Sequence, residues 1–526
     1  MKNAITHPLR KLSFTIKRFI SLLPAFVMLL LLYCIHSCSP GNPESSSARI
    51  EVSAKSMARK EFIVSLTING KNFWANKQTY TFNNEGNSVV NINKEECGLL
   101  LLKFDDGFVS RMIVAPGDRV MINIITDAQG RPRIEYKGSN ATGHQFFNSL
   151  ERAFIQDVNN PYRLDTNIAV IRHKIQLKME QELSDLKKLL GKGKISRAYE
   201  MLAELDIRYY YAASLADAMC SKYYAARIDH KNKNAVALFS KKYGKAWEQA
   251  FTTMPLHSDK ALSSEYFRYY VHLYYEWYLG QYAPEKSGLL ASDTAGMQGL
   301  RKQEGVHILN YAVIDRNFKD SISEYLKAEY LYYAMRRGGY EQSLLTLYTK
   351  FHEQYPGSLY TSFLQIEADK ILAFQHAKDG DFTPEQVFLT GYQDINSMSE
   401  LGNVLKNGPY YIDIWATWCA PCKEEFKFNA SLSALLREFK VKPLYLSIDK
   451  DGEDEDWKNM VKYYKLPGLH LRATDSLRKN IMKEFGKDML FTIPRYMIIN
   501  REGIIINSDA ERPSRLDYLR EQIIKL

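Results

Sequence analysis

The sequence predicts a multidomain chain with a small antiparallel β domain, an α-helical middle domain and a C-terminal α/β domain. Three observations carry that expectation. At 526 residues the chain exceeds what one hydrophobic core organises. Apolar residues alternate from about Glu61 and then recur at spacings of three and four beyond Gly143. Near the C-terminus a short apolar run leads through a Cys-x-x-Cys into a helical pattern. A hydrophobic content of 45% with 25% charged residues belongs to a globular chain rather than a disordered one.

The N-terminal segment sets the expected location. Of the formal charge of +10, five charges (Lys2, Arg10, Lys11, Lys17 and Arg18) lie in the first 37 residues, which contain no acid. The remainder carries only +5 and has neither a Lys/Arg block nor a nucleic-acid motif, which argues against nucleic acid as a partner. Phe19 to Ile35 is an uncharged run of 17 residues interrupted by Pro24, between a long signal-peptide core and a short membrane span in length. Ile35-His36-Ser37-Cys38 resembles a bacterial lipobox, although His36 departs from the usual small or aliphatic residue. The expectation is a lipoprotein signal peptide over 1–37 with lipidation at Cys38, the alternative being an uncleaved anchor. Either places the chain after Cys38 across the membrane, and no acidic run follows Cys38, so the periplasmic face is favoured. The Ser/Pro/Gly-rich stretch beginning at Ser39 opens an expected tether over 38–60.

Residues 61–138 read as a β-sandwich-like domain. Phe62, Val64, Leu66 and Ile68 share one face of a strand before the Asn69-Gly70 turn signal. Further strands are expected at Gln78 to Phe82, Ser88 to Ile92, Leu99 to Phe104, Ser110 to Val114 and Arg119 to Ile125. Residues 139–380 read as helical, most clearly from Ile168 to Leu190. The tyrosines between Tyr266 and Tyr278 fit either a glycan or peptide groove or helix-on-helix packing. From Glu324 a helix, a Gly-Gly pair, a second helix and a Pro resemble a tetratricopeptide hairpin, without sustained copies at a fixed period.

The last region, 386–526, holds "WATWCAPCKEEF", Trp415 to Phe426. "YYIDIW" before it reads as a buried parallel strand, Thr417-Trp418 as a turn, and Cys419 as the start of a helix carrying Lys423 to Phe439. A thiolate at a helix N-terminus meets free N–H groups and the positive end of the macrodipole, which lowers its pKa. A fall from about 8.5 to about 7 favours the thiolate by roughly 2 kcal/mol. Cys422 lies one turn on, placed to attack a mixed disulfide, with Ala420-Pro421 keeping the sulfurs in reach. Zinc would need two further ligands. Cys34 and Cys38 belong to the leader, Cys97 and Cys220 fall in other domains as expected buried hydrophobes, and His470 is the one nearby histidine. An inert structural disulfide is the other reading, although so short a loop constrains the unfolded chain weakly.

With "FLTGYQDINSMSEL", "PLYLSIDKDGEDEDWKNMVKYYKLPGLHLRA" and "FTIPRYMIINREGIIIN" in order around that motif, the region resembles the thioredoxin-like, membrane-anchored thiol-disulfide oxidoreductases of the TlpA/ResA kind. The resemblance implies a thioredoxin-like fold for this region, Cys419 as nucleophile, Cys422 as resolving thiol, a redox-active Cys419–Cys422 disulfide with no other cofactor, and a cis Ile493-Pro494 bond. X-Pro alone adopts cis cheaply, and such a bend would let Ile493 offer its backbone to an extended substrate; an ordinary trans proline is the alternative. Asp413 matches the buried acid of thioredoxin, raised by desolvation and able to take the proton of Cys422, or else is a strand-edge aspartate bonded to backbone. The family's additional acid falls among Asp449, Glu453 and Glu455. Trp415, Trp418 and Pro421 are expected to form the apolar surface around the sulfurs, with simple core packing open for Trp415.

The expected function is that of a periplasmic, lipid-anchored enzyme reducing protein disulfides, supplied by a membrane thiol electron donor. A ligand- or protein-binding lipoprotein with an accessory thioredoxin-like domain is the rival from another class.

Overall fold

Strands build most of the first unit of the protein, with alternating burial clearest along Ala48–Ser53 and Arg119–Thr126. The computed structural model describes residues 47–526 apart from 56–59, 105–106, 127–131, 151, 158, 290–293, 338–339 and 487–490. The expected signal peptide, Cys38 and most of the expected tether lie outside the described residues. No helix among the described residues is long and apolar enough to cross a membrane. Two compact units emerge. Of the described residues, the first comprises those through Gly70 with those of Gln78–Leu150 and Leu186–Ala203, the second those of Lys71–Lys77, Glu151–Asp185 and Glu204–Leu526.

The strands of the N-terminal region are β1 (Ala48–Ser53), β2 (Glu61–Ile68), β3 (Lys71–Thr81, of which Lys71–Lys77 belongs to the second unit), β4 (Asn87–Ile92), β5 (Gly98–Phe104), β6 (Val109–Val114), β7 (Arg119–Thr126) and β8 (Pro132–Gly138). They form two four-stranded sheets, ordered β4-β1-β7-β8 and β3-β2-β5-β6. Inward side chains of both sheets, among them Ile50, Val52, Val64, Leu102, Met112 and Ile122, share one core, as a sandwich requires. Two sequence expectations are corrected here. The segment expected as tether contains β1, whose Ala48, Ile50 and Val52 alternate inward. Its six residues directly follow the Ser-rich stretch, so only pairing reveals the alternation. The domain is also not purely antiparallel, because β1 runs parallel to β7 while pairing antiparallel with β4. In addition, β8 was not anticipated, and β3 starts at Lys71 rather than Gln78.

The second unit holds most of the helices and the C-terminal sheet. Helices cover Asp320–Arg337, Gln342–Gln354 and Thr361–Lys378, so both helices expected in the hairpin from Glu324 are present, while its Gly-Gly pair lies outside the described residues. Among the clustered tyrosines Tyr270, Tyr275 and Tyr278 are buried, and Tyr270 and Tyr269 donate their hydroxyls to Ala250 O and Asp217. Packing accounts for these rings. The sheet contains β9 (Gln386–Phe388), β10 (Tyr410–Trp415), β11 (Lys442–Ser447), β12 (Gly468–Arg472), β13 (Arg495–Ile499) and β14 (Ile505–Asn507), ordered β14-β13-β10-β11-β12-β9. The pairs β10–β11, β11–β12 and β12–β9 are parallel, and β13 runs antiparallel to β10.

Helical region and sheet meet within this unit. The Tyr340 and Tyr464 hydroxyls lie 2.6 Å apart, Gln375 donates to Tyr340 O at 2.6 Å, and Lys462 donates to Lys378 O at 2.9 Å. Tyr463 packs edge-on against Tyr340 and Phe374.

Candidate active site

All six residues of β10 are buried, as befits a strand covered on both faces. The chain leaves its C-terminal end through Ala416, Thr417 and Trp418, and Cys419 becomes the N-cap of the helix Ala420–Glu425. Cys419 donates its amide to Ala416 O at 3.0 Å. The Cys422 amide donates to Cys419 Sγ at 3.2 Å, and the two cysteines form a disulfide. Cys419 is 4% exposed and Cys422 fully buried. The helix expected in one piece to Phe439 is broken by a tighter turn at Phe426–Phe428 before Asn429–Glu438 resumes it. At that break the Phe426 ring stands edge-on to Trp415 and tilts against Tyr464. Trp415 is therefore core, fully buried, whereas Trp418 at 56% exposure and Pro421 face solvent beside the sulfurs. The Ile493–Pro494 bond is cis. Because Arg495 pairs with Ile414, Pro494 falls opposite the end of β10 that feeds the dithiol loop.

Four charged side chains are drawn into this region. Asp413, 2% exposed on an interior strand, has no hydrogen-bond partner on either carboxylate oxygen among the described residues. Burial pushes its carboxyl well above the usual carboxylate range, and the charge of Glu425 pushes the same way. The strand-edge reading of Asp413 therefore does not apply. Glu425 is itself buried and accepts from the Ser514 amide at 2.9 Å and the Ser514 hydroxyl at 3.0 Å. Asp449 is fully buried, raised by burial, and accepts from the Thr417 amide at 3.0 Å and the Thr417 hydroxyl at 2.8 Å. It thus anchors the turn just before Cys419 to the end of β11. Of the other two candidates for the additional acid, Glu453 accepts from the Lys450 amide and Glu455 is exposed.

Lys423 is the fourth. Its ammonium donates to Thr417 O at 2.7 Å and to Arg337 O at 3.2 Å, and it lies 5.3 Å from the centre of the Tyr340 ring. Burial lowers it to about 8, opposed by Asp449. Sequence reasoning missed Lys423, Glu425 and Thr417. In the sequence, Lys-Glu-Glu after the second cysteine has the look of a solvated first turn. The residues that cover it, Arg337 and Tyr340 on one side and Arg512 and Ser514 on the other, lie about 90 residues away in the chain, and nothing in the local pattern signals them. Among the described residues no group of three or more His, Cys, Asp or Glu side chains is gathered as a metal site.

Comparison with known proteins bears on this region. Residues 369–521 match the Redoxin family. The thiol-disulfide oxidoreductases ResA of Bacillus thuringiensis subsp. konkukian and of Bacillus cereus are each 25% identical over 116 residues, which is 22% of this chain and 62% of theirs. The chain thus spans less than two thirds of the length of these relatives. The solved thioredoxin domain of a thiol-disulfide oxidoreductase from Bacteroides vulgatus is 19% identical, covering 23% of this chain and 81% of that one, with a TM-score of 0.20. A Redoxin domain of the thioredoxin-like kind therefore occupies the C-terminal region of this multidomain chain.

Proposed function

We propose that the protein is a thiol-disulfide oxidoreductase that reduces disulfides in other proteins. One observation carries the reading: the Cys422 amide points at the sulfur of Cys419, at the head of a helix, above a strand that buries an unbonded Asp413. In the reduced protein that amide favours the Cys419 thiolate. The thiolate attacks one sulfur of a client disulfide, forming a mixed disulfide and releasing the other client sulfur as a thiolate. Cys422 then gives its proton to the Asp413 carboxylate and attacks Cys419 Sγ. The Cys419–Cys422 disulfide forms, the second client thiolate leaves, and two electrons have passed from the dithiol to the client. A membrane thiol donor returns the two electrons. Trp418 and Pro421 supply the apolar rim, and Ile493 with Pro494 the backbone edge, that receive the client chain.

The same reading places the protein on the periplasmic face, held by lipid at Cys38. Replacing Cys38 by Ala should move the protein from membrane to soluble fractions on cell breakage; unchanged membrane retention would sink the lipid anchor. For the chemistry, Cys422→Ser should accumulate mixed disulfides through Cys419, detected on non-reducing gels and by mass spectrometry. The same adducts in Cys419→Ser would reverse the assigned roles. Insulin reduction by the reduced wild-type protein tests the activity itself.

A further inference from the structure

We infer that the C-terminal end of the helix Asp320–Arg337 forms a second wall of the dithiol site and binds an acidic, extended segment of the client polypeptide. The inference rests on the oxidoreductase reading and names the chemistry of its client. It begins with Lys423, whose one ammonium holds the carbonyl of Arg337 and that of Thr417, two residues before Cys419. The end of this helix is thereby fastened beside the turn that carries the exposed Trp418.

What that end presents is cationic and aromatic. Arg337 and Tyr333 are exposed. The Arg337 guanidinium lies 5.3 Å from the Tyr333 ring centre and donates to its hydroxyl at 3.4 Å. Arg336 donates to the Tyr332 hydroxyl at 3.1 Å and lies 5.2 Å from the Trp74 ring centre, with the Lys77 ammonium 4.0 Å from the same ring. Trp74 packs against Tyr332 and Tyr333. Neither Arg336 nor Arg337 has a carboxylate within ion-pair distance among the described residues. The acids nearby are engaged elsewhere: Glu329 with Arg268 and the Trp74 amide, Glu367 with Lys370, and Glu424 with Lys427.

Two guanidinium groups oriented by tyrosine hydroxyls, with no carboxylate in direct ion-pair contact among the described residues although Glu367 and Glu424 act on Arg336 from farther off, present planar forks that match carboxylates. Arg, Trp and Tyr are the side chains that dominate the centres of protein interfaces. An extended client chain bearing Asp or Glu can thus lie on this wall while its disulfide reaches Cys419. Such rim charges act on the encounter step and on choice of partner more than on chemistry.

The test uses the reduced mature protein with two disulfide-bridged peptides of equal length, one flanked by Glu and one by Lys, alongside neutral hydroxyethyl disulfide. The wild type should reduce the acidic peptide with kcat/KM about tenfold above the basic one at low ionic strength, with the preference shrinking in high salt. Arg336→Glu/Arg337→Glu should invert the order, and the exposed single variant Arg337→Glu should narrow it by about threefold. Equal kcat/KM for the two peptides in the wild type, or a preference that survives both variants, would overturn the acidic-client inference. Failure to reduce even hydroxyethyl disulfide would instead overturn the oxidoreductase reading beneath it.

Discussion

The sandwich and the C-terminal sheet treat buried polar atoms differently. Along β1 to β8, no described residue has a buried side-chain nitrogen or oxygen without a partner. Thr67 donates to Cys97 O at 2.7 Å, and the hydroxyls of Ser110 and Tyr136 share a hydrogen bond of 2.7 Å. The C-terminal sheet instead leaves both oxygens of Asp413, Nε1 of Trp415, Nδ1 of His470 and the Tyr496 hydroxyl unpartnered. Asp413, Trp415 and Tyr496 sit on adjacent strands, β10 and β13, where Asp413 pairs directly with Tyr496. An orphaned buried polar group costs about 1–3 kcal/mol, so such groups persist where something other than stability retains them. Among the described residues the strands of the sandwich are satisfied throughout, whereas the strands β10 and β13 next to the dithiol loop carry several such groups.

Breaking the dithiol should give the largest effect. Cys419→Ser should abolish insulin reduction while leaving thermal unfolding of the sandwich unchanged; residual turnover above the uncatalysed rate would contradict the assigned nucleophile. Next, Asp413→Asn should slow release of the mixed disulfide by about 10²-fold, measured by stopped flow. It should also stabilise the second unit at neutral pH. A carboxyl raised by folding stabilises fully below its unfolded pKa and loses that contribution as pH rises, because the unfolded chain ionises first. The gain from Asp413→Asn should therefore fade below about pH 4. A variant less stable at pH 7 would show that the carboxyl is satisfied after all.

In the sandwich the corresponding lesion is a cavity. Ile50→Ala, at a fully buried position of β1, should cost about 2–4 kcal/mol by denaturant titration, and an effect below about 1 kcal/mol would return β1 to the tether. A smaller effect sharpens the contrast through two buried histidines, His144 in the first unit and His470 in the second, each lowered to about 4 by burial. Their neutral forms are favoured by folding, so stability is complete above the unfolded pKa near 6.5 and falls as pH drops toward 4. At pH 5 each should cost about 2 kcal/mol relative to pH 7. Nuclear magnetic resonance titration showing either imidazole protonated at pH 6 in the folded protein would refute this.

Much of the site was readable locally. The apolar run Tyr410–Trp415, the turn and Cys419 at a helix start follow from residues adjacent in the chain, and the structure has that strand, turn and N-cap. Asp413 was readable as buried because a polar residue sat inside a continuous apolar run. The unbroken helix to Phe439 was misread, since its break depends on where Phe426 meets Trp415 and Tyr464. β1 was missed because six alternating residues after a Ser-rich stretch declare a strand only once β4 and β7 flank them.

Read alone, the chain specifies its periodicities, its strand–turn–helix around two cysteines and the residue types that thiol chemistry needs, because these depend on neighbours one to four positions apart. Which charges would be buried, and beside what, was settled only by assembly. Lys423 became an internal clamp and Asp449 an anchor because Arg337 and Thr417, 86 and 32 residues from their respective partners, were brought against them. Desolvation and hydrogen bonding act through space, and their magnitude appears only when distant segments exclude water together.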